Sequence, residues 1–429
     1  VTDVLRAQLA DFHAVGVRAV QGERVLAGHG AVVDGHWMFR RGGRALHLPL
    51  PDRPRGGRLR VIGLGKAALG MARGFRRSLQ AARLDVDDGL LIVRDLPCDP
   101  GSTGPEGEPW RVLAGDHPLP GPRSEQAARA LLEFIGQPSA ADRFVVLLSG
   151  GASALCALPA PGVTLEEKRR ITSELMHSGA PIAAINRVRR QLSALKGGKL
   201  AARLAPAQFV TLAISDVPDD EPAVIGSAPT WRDDLPATSQ PPYVVIAGLD
   251  DALEAMAQAA AAAGFVVTRF GRCLYGSVTT EVPRILAAIE SLSAQGDRPQ
   301  LLLAGGEPLV EVRGGGRGGR AQELALRLGV ALSPGTGGAW AVHDVSARRQ
   351  VGIVGLVAGT DGSDGPTAAA GGFFDAATPL RVAAAGLDLA RVLADNDSHT
   401  ALEAIGDLFV TGPTGTNVAD VLMVVIPGG

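Results

Sequence analysis

Cysteine, aromatic residues and net charge are all scarce in this chain, and each shortage removes a class of function. Only three cysteines, Cys98, Cys156 and Cys273, occur in 429 residues, and an odd number without metal-ligand spacing supports neither a disulfide framework nor a zinc site. They are expected to be reduced thiols of a cytoplasmic protein. Lys and Arg (42) nearly cancel Asp and Glu (44), leaving a formal charge of -2, too weak a field to hold a nucleic acid or an anionic membrane. No apolar run approaches the roughly 20 residues that cross a bilayer. The amino end carries Asp3, Arg6 and Asp11 on a helical pattern, unlike the apolar centre of a signal peptide, so no export is expected. With aromatics at 4% and apolar residues at 46%, the interior has to be packed from Ala, Val, Leu and Ile, which suits a layered α/β enzyme acting on small molecules.

A chain of this length exceeds what one core usually serves, so two domains with a ligand cleft are expected. After a first helix, residues 22–58 are rich in Gly and Arg and read as a small hairpin or loop excursion. From there strand and helix patterns alternate: strands at 59–64, 90–93, 111–114, 144–148 and 209–214, and helices at 66–80, 124–135 and within 164–204. Residues 231–242 have linker composition and divide the chain into 1–240 and 241–429. The second half repeats the scheme with strands at 243–247, 265–269 and 301–304 and helices at 251–263 and 279–291, while 333–338 and 343–350 read as surface connections.

Several strand ends carry chemistry-bearing residues. Gly63-Leu64-Gly65-Lys66-Ala67-Ala68 fits the looser Rossmann pattern G-x-G-x-x-A, although a plain tight turn would use the same glycines. It is not a Walker loop, because Arg60 stands at the first Gly and Ala67 replaces the Mg²⁺-binding hydroxyl. Lys66 at the mouth of a helix suits a phosphate or carboxylate. Ser149-Gly150-Gly151-Ala152-Ser153 follows a strongly apolar strand, where open α/β sheets bind ligands. Five cations crowd the stretch from Asn186 to Lys199, which includes Lys196; a solvated helix face is the plainer reading. Asp216 just past a strand could hold Mg²⁺, accept a proton or simply cap a helix. Glu307 follows Gly305-Gly306, and a glycine-rich loop places two cations, Arg317 and Arg320, directly before a helix, where flexible backbone can wrap an anion. Loops around Asp361, Asn396 and Asn417 complete the set, each also compatible with an ordinary turn or cap.

Taken in order, Gly65-Lys66-Ala67-Ala68, His117-Pro118-Leu119-Pro120, Ser149 to Ser153, Lys196-Gly197-Gly198, Ser215-Asp216, Gly318-Gly319-Arg320, Gly359-Thr360-Asp361-Gly362 and Thr411 to Asn417 resemble the glycerate 2-kinase family of the MOFRL type over nearly the whole chain. The resemblance implies an α/β protein of two domains, Rossmann-like followed by a carboxyl-terminal α/β domain with the MOFRL region at about 300–420, and an active site in the interdomain cleft. It implies ATP and Mg²⁺ as cofactors and D-glycerate as substrate, phosphorylated at the 2-hydroxyl to 2-phosphoglycerate. Lys66, Arg320, Asp216 and Asp361 take the catalytic places, the two aspartates also serving as metal ligands. Gly65, Ser149, Gly150, Gly151, Ser153, Lys196, Glu307, Arg317, Asn396 and Asn417 line the substrate and phosphates. Two departures stand out: the family usually has Asn where this chain has Ala321 and His where it has Gln191.

Phosphoryl transfer asks for positioning and charge neutralisation, which Lys and Arg supply. The rival reading is an NAD(P)H-dependent hydroxypyruvate reductase, with Gly63-Leu64-Gly65 on the cofactor and Asp85 or Asp87 on its ribose; members of the family often carry that label. A non-catalytic sugar-acid sensor is a third reading. Oligomeric state is left open, a homodimer among the options.

Overall fold

The computed structural model describes residues 2–96, 107–177, 182–294, 298–333 and 352–428. Cys98 and most of the two connections expected at 333–338 and 343–350 lie outside the described residues. Two compact units emerge: Val20–Gly248 with Gly415–Asn417, and Val1–Ala19 with Leu249–Thr414 and Val418–Gly429. They do not follow a cut at 240/241. The first helix, Thr2–Ala19, belongs with the later residues because its apolar face packs on helix Leu249–Ala262, with Phe12 edge-on to Phe265 at 5.8 Å.

The first unit opens with helix Gly22–His29 and a three-stranded antiparallel meander, β1 (Gly30–Val33), β2 (His36–Arg41) and β3 (Arg44–Pro49). The hairpin expected in 22–58 is therefore present, but the helix before it was not expected, its eight residues being too few to display a helical period between flanking glycines.

The main sheet of this unit is wholly parallel: β4 (Leu59–Leu64), β5 (Asp88–Val93), β6 (Trp110–Ala114), β7 (Arg143–Leu148), β8 (Gln208–Ile214) and β9 (Tyr243–Ala247), in the order β6-β5-β4-β7-β8-β9. Both faces are covered by helices, so β4 beyond Arg60 and β7 beyond Arg143 are nearly wholly apolar, with Val61, Ile62, Phe144, Val145, Val146 and Leu147 sealed from solvent. Chain order runs outward from β4 in one direction and from β7 in the other. This is the dinucleotide-fold order 3-2-1-4-5-6, in which ligands gather at the carboxyl ends of the two strands where the order reverses.

The second unit holds a mixed sheet of β10 (Val266–Leu274), β11 (Gln300–Gly306), β12 (Val354–Gly359), β13 (Gly371–Asp375), β14 (Leu408–Phe409) and β15 (Asp420–Ile426), ordered β10-β11-β15-β12-β13-β14. Only β10 and β11 pair in parallel. Because β15 runs antiparallel to β11 and β12, its first residue, Asp420, lies opposite both Gly306 and Gly359, the last residues of those strands. One sheet edge thus collects the end of β11, the end of β12 and the start of β15. Among the described residues no helix is long and apolar enough to cross a membrane.

Candidate functional site

In the first unit the strand-order reversal falls between β4 and β7, and their two following turns interlock. Gly65, at φ +124, lies so close to the second turn that a methyl group on it would stand 2.3 Å from Ser149 Oγ and 2.5 Å from Ser149 O. The Lys66 N–H donates to Gly150 O at 3.0 Å, and the Ala67 N–H donates to Ser149 Oγ at 3.0 Å. Ser149, fully buried, therefore fills the N–H that the opening of helix Ala68–Gln80 would offer an anion. Lys66 is carried past the strand end with its stem against Gly151: a methyl group there would be 3.4 Å from Lys66 Cγ and 3.3 Å from the His117 ring.

Asp216 arrives at the same place from the end of β8. A methyl group on Gly150 would come within 2.0 Å of Asp216 Oδ2 and 2.6 Å of Asn417 Nδ2, and Asn417 Nδ2 donates to Asp216 Oδ2 at 2.9 Å. Thus Gly65, Lys66, Ser149, Gly150, Gly151, Asp216 and Asn417 form one constellation. His117 adjoins it; the sequence motif contained this histidine, but no role had been attached to it. Ser153, one turn further, accepts from the buried ammonium of Lys196, which also donates to Ser153 O at 2.9 Å. Burial drives the Lys196 ammonium well below its ordinary value.

The second unit gathers its charged residues at the shared sheet edge. Arg320 opens helix Arg320–Leu332, donating from Nε to Asp420 Oδ2 at 2.6 Å and from Nη2 to Glu307 Oε1 at 2.7 Å. Burial alone would weaken the guanidinium, but the two carboxylates outweigh it and raise its pKa, so it remains a cation at any working pH. Asp420 is buried, which pushes its carboxyl up to about 7 against the pull of Arg320. Asp361 Oδ1 accepts from the Ser363 N–H at 3.0 Å, and a methyl group on Gly359 would be 3.3 Å from both Asp361 Oδ1 and Asp420 Oδ1. Glu307, Arg320 and Asp361 are accordingly neighbours, with Asp420 at their centre.

Arg317 and Asn396 serve the loop that precedes this helix. Asn396 Oδ1 accepts from the Arg313 N–H at 2.7 Å and the Gly314 N–H at 3.2 Å, while its amide donates to Glu323 at 2.9 Å. The Arg317 N–H donates to Asp397 Oδ1 at 2.9 Å. The first amides of the helix, at Ala321 and Gln322, are taken by Asp364 at 3.1 and 2.8 Å. Sequence reasoning assigned no role to Asp364 or Asp420, though both belong to glycine-rich stretches it had singled out; the missed signal was an aspartate in such a stretch that can reach helix-start amides or open a strand.

The donor set fits Mg²⁺ better than a soft metal. Among the described residues no group of three or more His, Cys, Asp and Glu could hold a metal ion, whereas Mg²⁺ in phosphate-transfer sites usually rests on one or two carboxylates with phosphate and water oxygens. Asp216 in the first unit and Asp361 in the second are each a single carboxylate beside glycine backbone.

A family model described as a domain of unknown function, DUF4147, matches residues 8–261, and the MOFRL family matches residues 300–420. The chain is 33% identical to the D-glycerate 2-kinase of Thermotoga maritima, covering 85% of this chain and 90% of that protein. It is 37% identical to an Agrobacterium vitis protein provisionally named a hydroxypyruvate reductase, covering 88% and 89% respectively. The crystal structure of a Thermotoga maritima glycerate kinase superposes with a TM-score of 0.74 at 30% identity, covering 99% of this chain and 100% of that one.

Proposed function

Since the chain belongs to the glycerate kinase family, built from a DUF4147 region followed by a MOFRL region, we propose that it transfers the γ-phosphoryl group of ATP to the 2-hydroxyl of D-glycerate, giving 2-phosphoglycerate and ADP. The observation that carries the reading is the convergence of Lys66, the Gly150-Gly151 backbone and the Asn417-held Asp216 at the reversal point of a parallel sheet.

Each residue has a task that the transfer requires. Lys66 supplies positive charge to the phosphoryl oxygens at an end of the sheet where small residues let a ligand approach. Asp216 accepts the proton of the attacking hydroxyl; Asn417 fixes the carboxylate so that little reorganisation accompanies the step. Arg320, held in a fork by Asp420 and Glu307, presents a guanidinium of fixed orientation to the carboxylate or phosphate of the substrates. With Asp216 taking the proton, Asp361 is the carboxylate that would hold Mg²⁺, whose bound charge would neutralise phosphate oxygens.

The reductase reading has less support. Asp85 and Asp87 precede β5, at the opposite end of the sheet from Lys66, and they are engaged by Arg76 and Arg53 respectively. The Ala67 N–H that a pyrophosphate would use is occupied by Ser149. A direct test supplies the purified chain with MgATP and D-glycerate in one cuvette and NADH or NADPH with hydroxypyruvate in another. ADP release with no nicotinamide oxidation is expected; rapid oxidation without ADP release would overturn the proposal.

A further inference from the structure

Behind the Ser149 to Ser153 turn lies a group of cations that the proposed transfer does not use. Lys168, on helix Leu165–His177, is 3% exposed, and its ammonium has no hydrogen-bond partner among the described residues. It feels the charges of Lys199 and of Arg189, the latter on helix Ile182–Gln191. Lys196, 4% exposed, feels both Lys168 and Arg189. The other titratable groups facing Lys168 are the buried Cys156 thiol and Glu125 of helix Pro122–Ile135, whose carboxylate already accepts from Arg129 at 2.5 Å. Burial pushes the Cys156 thiol up to about 12, so it contributes no negative charge near neutrality.

Such an arrangement is unfavourable as it stands. Each ammonium loses hydration, the like charges repel, and one donor group has nothing to donate to. Two outcomes relieve the strain: the lysines shed protons, or an anion with several acceptor oxygens enters. Burial drives Lys168 down to about 8, with Lys199 and Arg189 adding to the fall, yet a neutral amine would still lack a partner. An oxyanion relieves the charge and the missing hydrogen bonds together.

We infer that Lys168, Lys196 and Arg189 form a buried oxyanion site that takes a phosphate group, either free or carried by a nucleotide or a phosphorylated acid. Phosphate fits better than a carboxylate because its two negative charges and three or more acceptor oxygens match several cations coming from different elements. Lys196 also donates to Ser153 O at 2.9 Å, so filling the site is coupled to the turn that carries Gly150. The inference stands whether or not glycerate is the acceptor, because ligand binding rather than turnover reports it.

The test uses the full chain in phosphate-free buffer, with thermal unfolding and calorimetry against inorganic phosphate. Phosphate should raise the Tm of the wild type. Lys168→Met should match or exceed the wild-type Tm without phosphate, since an unpaired buried donor is gone, and should bind phosphate about tenfold more weakly or worse. Lys168→Arg should keep the affinity to within about threefold. Arg189→Met, on a different helix, should weaken binding as Lys168→Met does, and carries the comparison should that variant not fold. Competition of phosphate with ADP or with 2-phosphoglycerate identifies the source of the group, either result supporting the site. A wild type with no phosphate-dependent rise in Tm, or Lys168 and Arg189 variants that bind phosphate with wild-type affinity, would overturn the inference.

Discussion

Replacing Gly150 with alanine isolates the geometry on which the proposed transfer depends. Gly150 lies outside the left-handed region of backbone space, so alanine is allowed there by its backbone, and only the surroundings object. The added methyl carbon would sit 2.0 Å from Asp216 Oδ2 and 2.6 Å from Asn417 Nδ2. Close carbon–oxygen contacts stop near about 3.3 Å, so the carboxylate has to retreat by roughly 1.3 Å or the turn has to deform. Overpacking of this kind costs about 1–3 kcal/mol of stability, a moderate fall in Tm. The kinetic effect should be larger, since displacing a reacting group by about 1 Å can cost on the order of a hundredfold in rate. The assay is kcat/KM for glycerate from ADP release at saturating MgATP, with Tm measured on the same preparations. A folded Gly150→Ala enzyme with wild-type kcat/KM would refute the placing of Asp216 and Asn417 at the reaction centre.

Other substitutions test other parts of the account. Arg320→Lys removes the planar fork that reaches Asp420 and Glu307 together, and kcat/KM should fall by about tenfold or more, with a fall in Tm as the buried Asp420 carboxylate loses part of its partner. His13 is buried, its ring nitrogen on Gly359 O, and burial lowers its pKa from 6.5 to about 4. The unfolded chain then takes up a proton near pH 6.5 that the folded chain refuses until about pH 4, so stability from this residue is present above 6.5 and is lost as pH falls through that window. The full loss is on the order of 3 kcal/mol, and Tm measured from pH 7 to pH 4.5 should fall less steeply in His13→Asn than in the wild type. Gly28 is an exposed helical position where a methyl group meets nothing within 4 Å, so Gly28→Ala should raise stability by about 0.5–1 kcal/mol and leave turnover unchanged.

Much of the architecture was legible because the central strands are buried on both faces. Apart from Arg60 and the polar residues that open β7, β11 and β15, the strands β4, β7, β11, β12 and β15 are buried runs of apolar residues and glycine, and a run of that kind is visible without knowing its neighbours. Which strand lies beside which was not visible. The order around β4 and β7, and the antiparallel insertion of β15 between β11 and β12, are set by packing between residues far apart in the chain. The site divides in the same way. Lys66, Asp216 and Arg320 were recognisable singly, as charged residues beside glycines at strand ends. Which residue pairs with which was not visible, because Asn417, though singled out, stands 201 positions from Asp216, and Asp420 stands 100 from Arg320. Asn396 and Arg317 show the reverse: glycine-rich loops suggest a cradle for an anion, but here the amides of Arg313, Gly314 and Arg317 are taken up by Asn396 and Asp397.

The most direct measurement is the identity of the product. Phosphorus NMR of a reaction containing the purified chain, MgATP and D-glycerate should show ADP and 2-phosphoglycerate growing together, with the signal lost in Lys66→Met. Accumulation of 3-phosphoglycerate, or turnover that survives loss of the Lys66 ammonium, would contradict the account.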